Sequence, residues 1–415
     1  MYNVLVGQSG GPTAVINASL YGVIKEALDA AKVDTVYGMI HGIEGFLEGR
    51  VLDFSEYAAA NPLECLKTTP ASFLGSCRYK LPGDLADAVY PKLFERFAEL
   101  EIKAFLYIGG NDSMDTVAKL SAYAEKVGSD ICFIGVPKTI DNDLVNTDHT
   151  PGYGSTAKYV ATTVREIVLD ASVYNRPVVT IVELMGRHAG WVTAASALAR
   201  TSYNRNPLLI YLPESDFDMD AFLEDVRNAF KVQNSVVVCV SEGISDKDGK
   251  FICEYGAEAT VDGFGHKMLA GCGKVLEQIV RKEIGCKARS IELNLPQRCC
   301  AVLASLTDIE EAEAAGRFAL KSALEGHTGM MAAFERVTEM AGTDAFGGYR
   351  IDMKLVDVAK VCNQEKKFPA EWIINNGTDI SDEFLAYAMP LIQGESKVPF
   401  ENGLPIYPQS AFMIK

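Results

Sequence analysis

A short apolar run rich in β-branched residues gives way to a glycine-containing or polar loop and then to a helical pattern, and this cycle recurs along the chain. Tyr2 to Val6 leads into Gly7-Gln8-Ser9-Gly10-Gly11-Pro12 and an amphipathic stretch from about Ala14 to Ala31. Ala104 to Ile108 leads into Gly109-Gly110-Asn111-Asp112-Ser113, after which Met114, Val117, Ala118 and Leu120 carry helical spacing toward Lys126. Cys132 to Val136, Val178 to Val182, Leu208 to Leu212 and Val236 to Val240 are further strand-like runs with loops behind them. Strands alternating with helices imply an α/β fold with mostly parallel sheets flanked by helices. In such sheets ligands collect at the carboxyl ends of strands, where these loops fall.

A chain of 415 residues exceeds what one core usually supports, so two similar domains are expected. The Thr150-Pro151-Gly152-Tyr153-Gly154-Ser155 segment interrupts the pattern and places the boundary near residues 150 to 175. The expected division is 1–170 with a returning segment near 297–345, and 171–296 with 346–415 as a crossover and irregular tail. No apolar run approaches the ~18 residues of a membrane span, and no basic-then-apolar leader opens the chain, so a soluble, cytoplasmic protein is expected. Ten cysteines without paired spacing fit reduced thiols, and the five histidines, 41, 149, 188, 266 and 327, give zinc no spaced cluster. A formal charge of −16 disfavours nucleic acid or an anionic membrane as partner. Phosphate ligands would then need cations gathered locally, from Arg78, Lys138, Arg187, Arg289 and Arg298.

The loops suit phosphoryl chemistry, and each has a plainer reading beside it. Gly10-Gly11 is either a tight turn or a cradle in which backbone N–H groups and a helix N-terminus meet a phosphate. Asp112 either caps a helix, with Asp115 at the third helical position, or repels the extra phosphates of a long donor. In Pro137-Lys138-Thr139-Ile140-Asp141-Asn142-Asp143, the two acids form an Asx-type turn, or else one takes a proton from an attacking hydroxyl while the other holds Mg²⁺. Lys138 is a solvated lysine or a neutraliser of the transferring group. Arg187, in Met185-Gly186-Arg187, ends a strand as a phosphate ligand would, whereas His188 reads as structural. Glu242 is a helix-entry acid or an acceptor for sugar hydroxyls. The run from Arg289 to Arg298 reads as a strand with a cation at each end, a clamp for a terminal phosphate or a source of surface salt bridges.

Taken together, Gly10-Gly11 with Asn17, Gly75-Ser76-Cys77-Arg78, Gly109 to Ser113, Pro137 to Asp143, Met185-Gly186-Arg187, Glu242-Gly243 and Gln297-Arg298 resemble the phosphofructokinase family in order and spacing, over about residues 1 to 370. The resemblance implies two α/β halves, the phosphoryl donor on the first and fructose 6-phosphate on the second. It implies Asp141 as the base for the sugar's 1-hydroxyl, with Thr139, Met185, Gly186, Arg187, Glu242, Arg289 and Arg298 holding the sugar phosphate. Gly10, Gly11, Arg78, Gly110, Asn111 and Ser113 would hold the donor, with Mg²⁺ at Asn111 and Asp143. Because arginines in this family also reach a neighbouring subunit, a homodimer or homotetramer is implied. ATP-using members resemble Gly-Gly-Asp-Gly-Ser with a glycine before Thr-Ile-Asp. This chain has Asp112 and Lys138 at the two deciding positions and so resembles the pyrophosphate-dependent type. An ATP-dependent enzyme and a catalytically weak regulatory subunit are the alternatives, the latter motivated by Asn111 in place of an aspartate, by Leu295 in place of Tyr or His, and by Cys299-Cys300 in place of two glycines.

Overall fold

A computed structural model describes the chain apart from Met1, Tyr174, residues 256–259, 262–266, 269–270 and 339–347, and Lys415. Its first sheet has seven strands. In chain order they are β1 (Tyr2–Gln8), β2 (Val33–Met39), β3 (Val51–Asp53), β4 (Ile102–Gly109), β5 (Cys132–Pro137), and then, after four strands of the second sheet, β10 (Met330–Thr338) and β11 (Tyr349–Asp357). Across the sheet the order is β11-β10-β5-β4-β1-β2-β3. The five inner strands run parallel, and the pairs β2–β3 and β10–β11 are antiparallel. The second sheet has four strands, all parallel, in the order β9 (Lys287–Glu292), β6 (Val178–Leu184), β8 (Ser235–Ser241), β7 (Leu209–Tyr211).

Both faces of the first sheet are covered, which explains its nearly continuous apolar strands. On β1 and β4, Val4, Val6, Leu106 and Ile108 face one core with helix α1 (Ile16–Asp29), while Leu5, Phe105 and Tyr107 face the other. This alternation follows from the two-residue period of a strand. Helix α5 (Leu306–Leu324) packs against α1 at backbone distance. A Cβ built at Gly22 would lie 2.1 Å from the Glu313 carbonyl oxygen, and one at Gly316 would lie 2.1 Å from that of Ser19. Glycine at both positions is what lets these helices touch.

The chain divides into two compact units: Met1–Ser155 with Arg298–Glu365 and Ile392–Lys415, and Thr156–Gln297 with Lys366–Leu391. Three segments therefore group otherwise than the sequence reading placed them, 156–170, the described residues between 346 and 365, and 392–415. Residues 349–357 belong with the first unit because β11 pairs with β10 along nine residues. Residues 156–170, expected in the first, fall within helix α3 (Tyr153–Ala171) and group with the second. From the tail, only 366–391 joins the second unit, where Phe368, Trp372 and Tyr387 surround Trp191. Among the described residues no helix is long and apolar enough to cross a membrane.

The first unit buries a charged cluster that sequence spacing does not reveal. His149, 1% exposed, bonds Asp148 Oδ1 through Nδ1 at 2.9 Å and Glu311 Oε2 through Nε2 at 2.7 Å. Arg336 donates to the same Asp148 oxygen, and the Tyr349 hydroxyl donates to Glu311 at 2.6 Å. Burial alone would lower the His149 pKa, but Glu311 and Asp148 outweigh it and lift it from 6.5 to about 9. Burial opposes ionisation of Asp148 as well, yet its bonds to His149 and Arg336 bring it from 3.8 to about 2. The His149 contribution to stability is thus complete below pH 6.5 and lost as pH rises through 9, whereas that of Asp148 is complete above pH 3.8 and lost as pH falls through 2. Urea unfolding between pH 7 and 10 should show a loss of up to about 3 kcal/mol, and His149→Gln should flatten that slope. An unchanged slope in the variant would count against this cluster as its source.

Candidate active site

Three loops at the carboxyl ends of β1, β4 and β5 meet in the first unit. Lys138, 3% exposed, points its ammonium at the loop after β1 and donates from Nζ to the Gly11 carbonyl at 2.7 Å. A Cβ built at Gly10 would stand 3.4 Å from that Nζ, and one at Gly11 would stand 3.1 Å from Arg298 Nη1. Gly10-Gly11 therefore runs between two cations, and the absence of side chains lets the backbone pass close to both. Burial pushes Lys138 down from 10.5 to about 8, against the pull of Asp141 and Asp143, with Arg298 adding to the decrease. Arg298 is lowered first by burial, then by Arg78, with Cys299 and Asp141 opposing. Arg78, Lys138 and Arg298 thus form the local concentration of positive charge that an acidic chain needs for a phosphate ligand.

Buried amides hold this geometry. Asn17 donates to the carbonyls of Thr69 and Ala71 at 2.9 and 2.8 Å and accepts the Phe73 N–H at 2.9 Å. Gln8 donates to Asn17 at 2.8 Å and accepts the Leu74 N–H at 2.9 Å. The segment entering Gly75-Ser76-Cys77-Arg78 is so tied to β1 and α1, and the Ser76 hydroxyl closes onto the Gly10 carbonyl at 2.7 Å. On the β5 loop, Asn142 is fully buried with φ 53°, a left-handed conformation that asparagine tolerates, and it turns the chain between Asp141 and Asp143. Thr139 Oγ1 accepts the Asp141 N–H at 3.1 Å, which fits the turn reading without removing the carboxylate from chemistry.

The loop after β4 is shorter than its sequence suggests, since helix α2 (Asn111–Val127) begins at Asn111 instead of near Met114. Gly110 is the N-cap, so Asp112 is not; it lies in the first turn, with its side chain 67% exposed and 3.9 Å from Lys80 Nζ. Ser113 is buried against Gly109, where a Cβ would sit 1.9 Å from its Oγ. Asn111 donates to the Gln364 carbonyl and accepts the Asn363 N–H at 2.6 Å. Both ends of its amide are engaged with backbone, which fixes the orientation in which Asn111 would present its oxygen to an ion. Among the described residues no group of three or more His, Cys, Asp or Glu is placed to hold a metal, and His266 lies outside them.

In the second unit, Met185-Gly186-Arg187 and Glu242-Gly243 follow the adjacent strands β6 and β8 and interlock. Glu242 Oε1 accepts the Gly186 N–H at 3.3 Å, and the Ser241 hydroxyl donates to the Gly186 carbonyl at 2.6 Å. Gln297 accepts the Met185 N–H at 3.3 Å, and Met185, Glu242, Asn294 and Gln297 line a cavity of about 40 Å³. Among the described residues, two buried donors here, Arg187 Nε and Gln297 Nε2, have no hydrogen-bond acceptor. Acceptor-rich ligands suit such donors. The expected strand from Arg289 to Arg298 does not form: β9 ends at Glu292, and Pro296–Cys299 is a helical turn. Arg289 lies partway along β9, in register with Thr180 and 3.5 Å from Asp170, so it is not at the strand ends with Glu242. Arg298 groups with the first unit, and the nine-residue clamp is not present within either.

Residues 3–301 match the family model described as phosphofructokinase. The chain belongs to the phosphofructokinase family. A pyrophosphate–fructose 6-phosphate 1-phosphotransferase of Xanthomonas campestris pv. campestris is 41% identical over 409 residues, 98% of this chain and 95% of that protein. Its counterpart of the same name from Halomonas elongata is 39% identical over 408 residues, 97% and 95% of the two chains. The crystal structure of a pyrophosphate-dependent phosphofructokinase from Nitrosospira multiformis superposes with a TM-score of 0.87 at 36% identity, covering 99% of this chain and 96% of that one.

In this phosphofructokinase family member the sequence reading located the loops and missed their supports: Gln8 closes β1, Glu311 and Arg336 lie within α5 and β10, and Asp148 and His149 sit in the loop after β5 with partners more than 150 residues away. Glycine after Glu242 has a measurable purpose, since a Cβ at Gly243 would lie 1.9 Å from the Arg187 carbonyl oxygen. A Cβ at Gly110 would meet nothing closer than 3.5 Å. Gly243→Ala should therefore cost roughly 2 kcal/mol or more in chemical denaturation and Gly110→Ala less than about 1 kcal/mol. Equal costs would contradict the packing described.

Proposed function

We propose that this chain catalyses reversible phosphoryl transfer from pyrophosphate to the 1-hydroxyl of fructose 6-phosphate, giving fructose 1,6-bisphosphate and phosphate. The observation that carries the reading is the buried Lys138 ammonium, held on Gly11 beside Arg298 and within the field of Asp141 and Asp143. The first unit would bind the donor through Gly10, Gly11, Arg78, Gly110 and Ser113. In the second, Met185, Gly186, Arg187 and Glu242 would hold the sugar phosphate, using the donors on Arg187 and Gln297 that have no acceptor among the described residues. Asp141 takes the proton from the 1-hydroxyl as that oxygen bonds to phosphorus, and the phosphorus–oxygen bond of pyrophosphate breaks to release phosphate. Lys138 neutralises charge on the group in transfer.

Two carboxylates flanking Asn142, with Asp143 Oδ1 buried, are a hard oxygen donor set. They suit Mg²⁺, which takes one or two protein carboxylates and fills its shell with water and phosphate oxygens. Asp143, with Asp141 beside it, would hold the ion, which when bound shields the charge on pyrophosphate. Asp112, exposed in the first turn of α2, would repel the additional phosphates of a nucleotide that approached the helix N-terminus. Self-association as a homodimer or homotetramer and a cytoplasmic location belong to the same reading.

Coupled turnover with fructose 6-phosphate should proceed with pyrophosphate and be slower with ATP; the opposite ranking would refute the donor assignment. Asp112→Gly combined with Lys138→Gly should gain ATP use, and an unaltered donor preference would remove the basis for exclusion by charge. Asp141→Asn should lower kcat by about 10²- to 10⁴-fold in both directions, as loss of a general base does, while a variant with near-native kcat would reassign the base.

A further inference from the structure

A buried carboxylate far along the chain is linked to the proposed base by hydrogen bonds and the short backbone segment between them. Asp308, in the first turn of α5, is 2% exposed. Its Oδ1 accepts the Gly152 N–H at 2.9 Å and its Oδ2 the Ser155 N–H at 2.8 Å, and the Ser155 hydroxyl bonds it as well. These are the N–H groups that open helix α3, so one helix is capped by an acid from another, with favourable charge against its dipole. The same turn grips the loop after β5 from both sides. The Pro151 carbonyl accepts the Thr139 N–H at 3.2 Å, and Thr150 Oγ1 donates to the Thr139 carbonyl at 2.8 Å. Thr139 Oγ1 then accepts the Asp141 N–H. Asp308 is itself fixed, since its N–H points to the Ser305 hydroxyl and the Ser305 N–H donates to Ser155 Oγ at 3.1 Å.

We propose that Asp308 is a positioning residue for phosphoryl transfer: by fixing residues 150–155 it sets, through Thr150 and Thr139, where the Asp141 carboxylate stands. This rests on the reading of Asp141 as the base. The arrangement is costly to build, which a purely structural cap would not require. Burial pushes Asp308 up to about 6, and Glu311, one turn further on α5 and bonded to His149, adds to the rise. A neutral residue would cap α3 without that cost, but an amide offers one acceptor oxygen where the carboxylate serves three donors.

Two substitutions address different points of the series. Asp308→Asn removes the anchor. Thr150→Val deletes one methyl-sized hydroxyl at a fully buried site with the shape retained, and Thr150→Ser restores the hydroxyl. Steady-state kinetics with fructose 6-phosphate and pyrophosphate should show kcat reduced about 10- to 100-fold in Asp308→Asn and Thr150→Val, the scale expected for a displaced catalytic group. KM for both substrates should stay within about threefold, and Thr150→Ser should recover most of kcat. Hydrogen exchange at residues 139–143 should accelerate in Thr150→Val and not in Thr150→Ser. If Asp308→Asn fails to fold, the Thr150 pair decides alone. Native kcat in Thr150→Val, or a loss not recovered by serine, overturns the proposal. Wild-type protein inactive with pyrophosphate, or Asp141→Asn with native kcat, would instead defeat the underlying reading.

Discussion

The Lys138 ammonium sits where solvent cannot pay its charge, on the carbonyl of Gly11, and much of the first unit is arranged around that bond. An isolated buried cation is costly, so its surroundings must supply compensation. The Gly11 oxygen and the carboxylates of Asp141 and Asp143 do so, while Arg298 works against them. A dianionic ligand would reverse the balance, since it relieves both cations together. On the proposed reading of the loop after β1 as the donor site, its own unfavourable electrostatics would favour an anion there, and Gly11 lets the backbone pass close to Arg298.

The strands and their terminal loops were legible in the sequence because burial on both faces leaves a near-continuous apolar run, and a glycine or acid after it marks where the sheet ends. Tyr2–Gln8, Ile102–Gly109 and Cys132–Pro137 follow that rule with small shifts of boundary. The errors have physical causes. Asn111 and Asp112 look like loop residues by type, yet they begin α2 because Gly110 serves as the N-cap. The interval between Arg289 and Arg298 suggested a strand, but Pro296 starts a helical turn. Asp308, Gln8 and His149 were invisible as supports because their partners lie as much as 162 residues away, and no local pattern encodes such pairings.

The chain's overall negative charge and its phosphate chemistry are reconciled by distribution. The acids are spread over exposed helices and edges, as with Lys25–Asp29 and Arg96–Glu99, where they form screened surface pairs of small energetic weight. Arg78, Lys138 and Arg298 come from three separate parts of the sequence and meet at the end of the sheet. Net charge thus describes how the protein meets bulk solvent, while local topology decides what it can bind.

The contact of α1 with α5, glycine against backbone on each side, also orders events in time. Helix α5 and strands β10 and β11 are synthesised long after β1, so the first sheet waits for its own far edge while residues 156–297 of the second unit emerge in one continuous stretch. Once residue 297 has been made, every strand of the second sheet exists and two of the first sheet's seven do not. The surface of α1 at Ser19, Gly22 and Val23 has no covering helix from α5 until Leu306–Leu324 is made, and the length of that interval is set by the order of the elements alone.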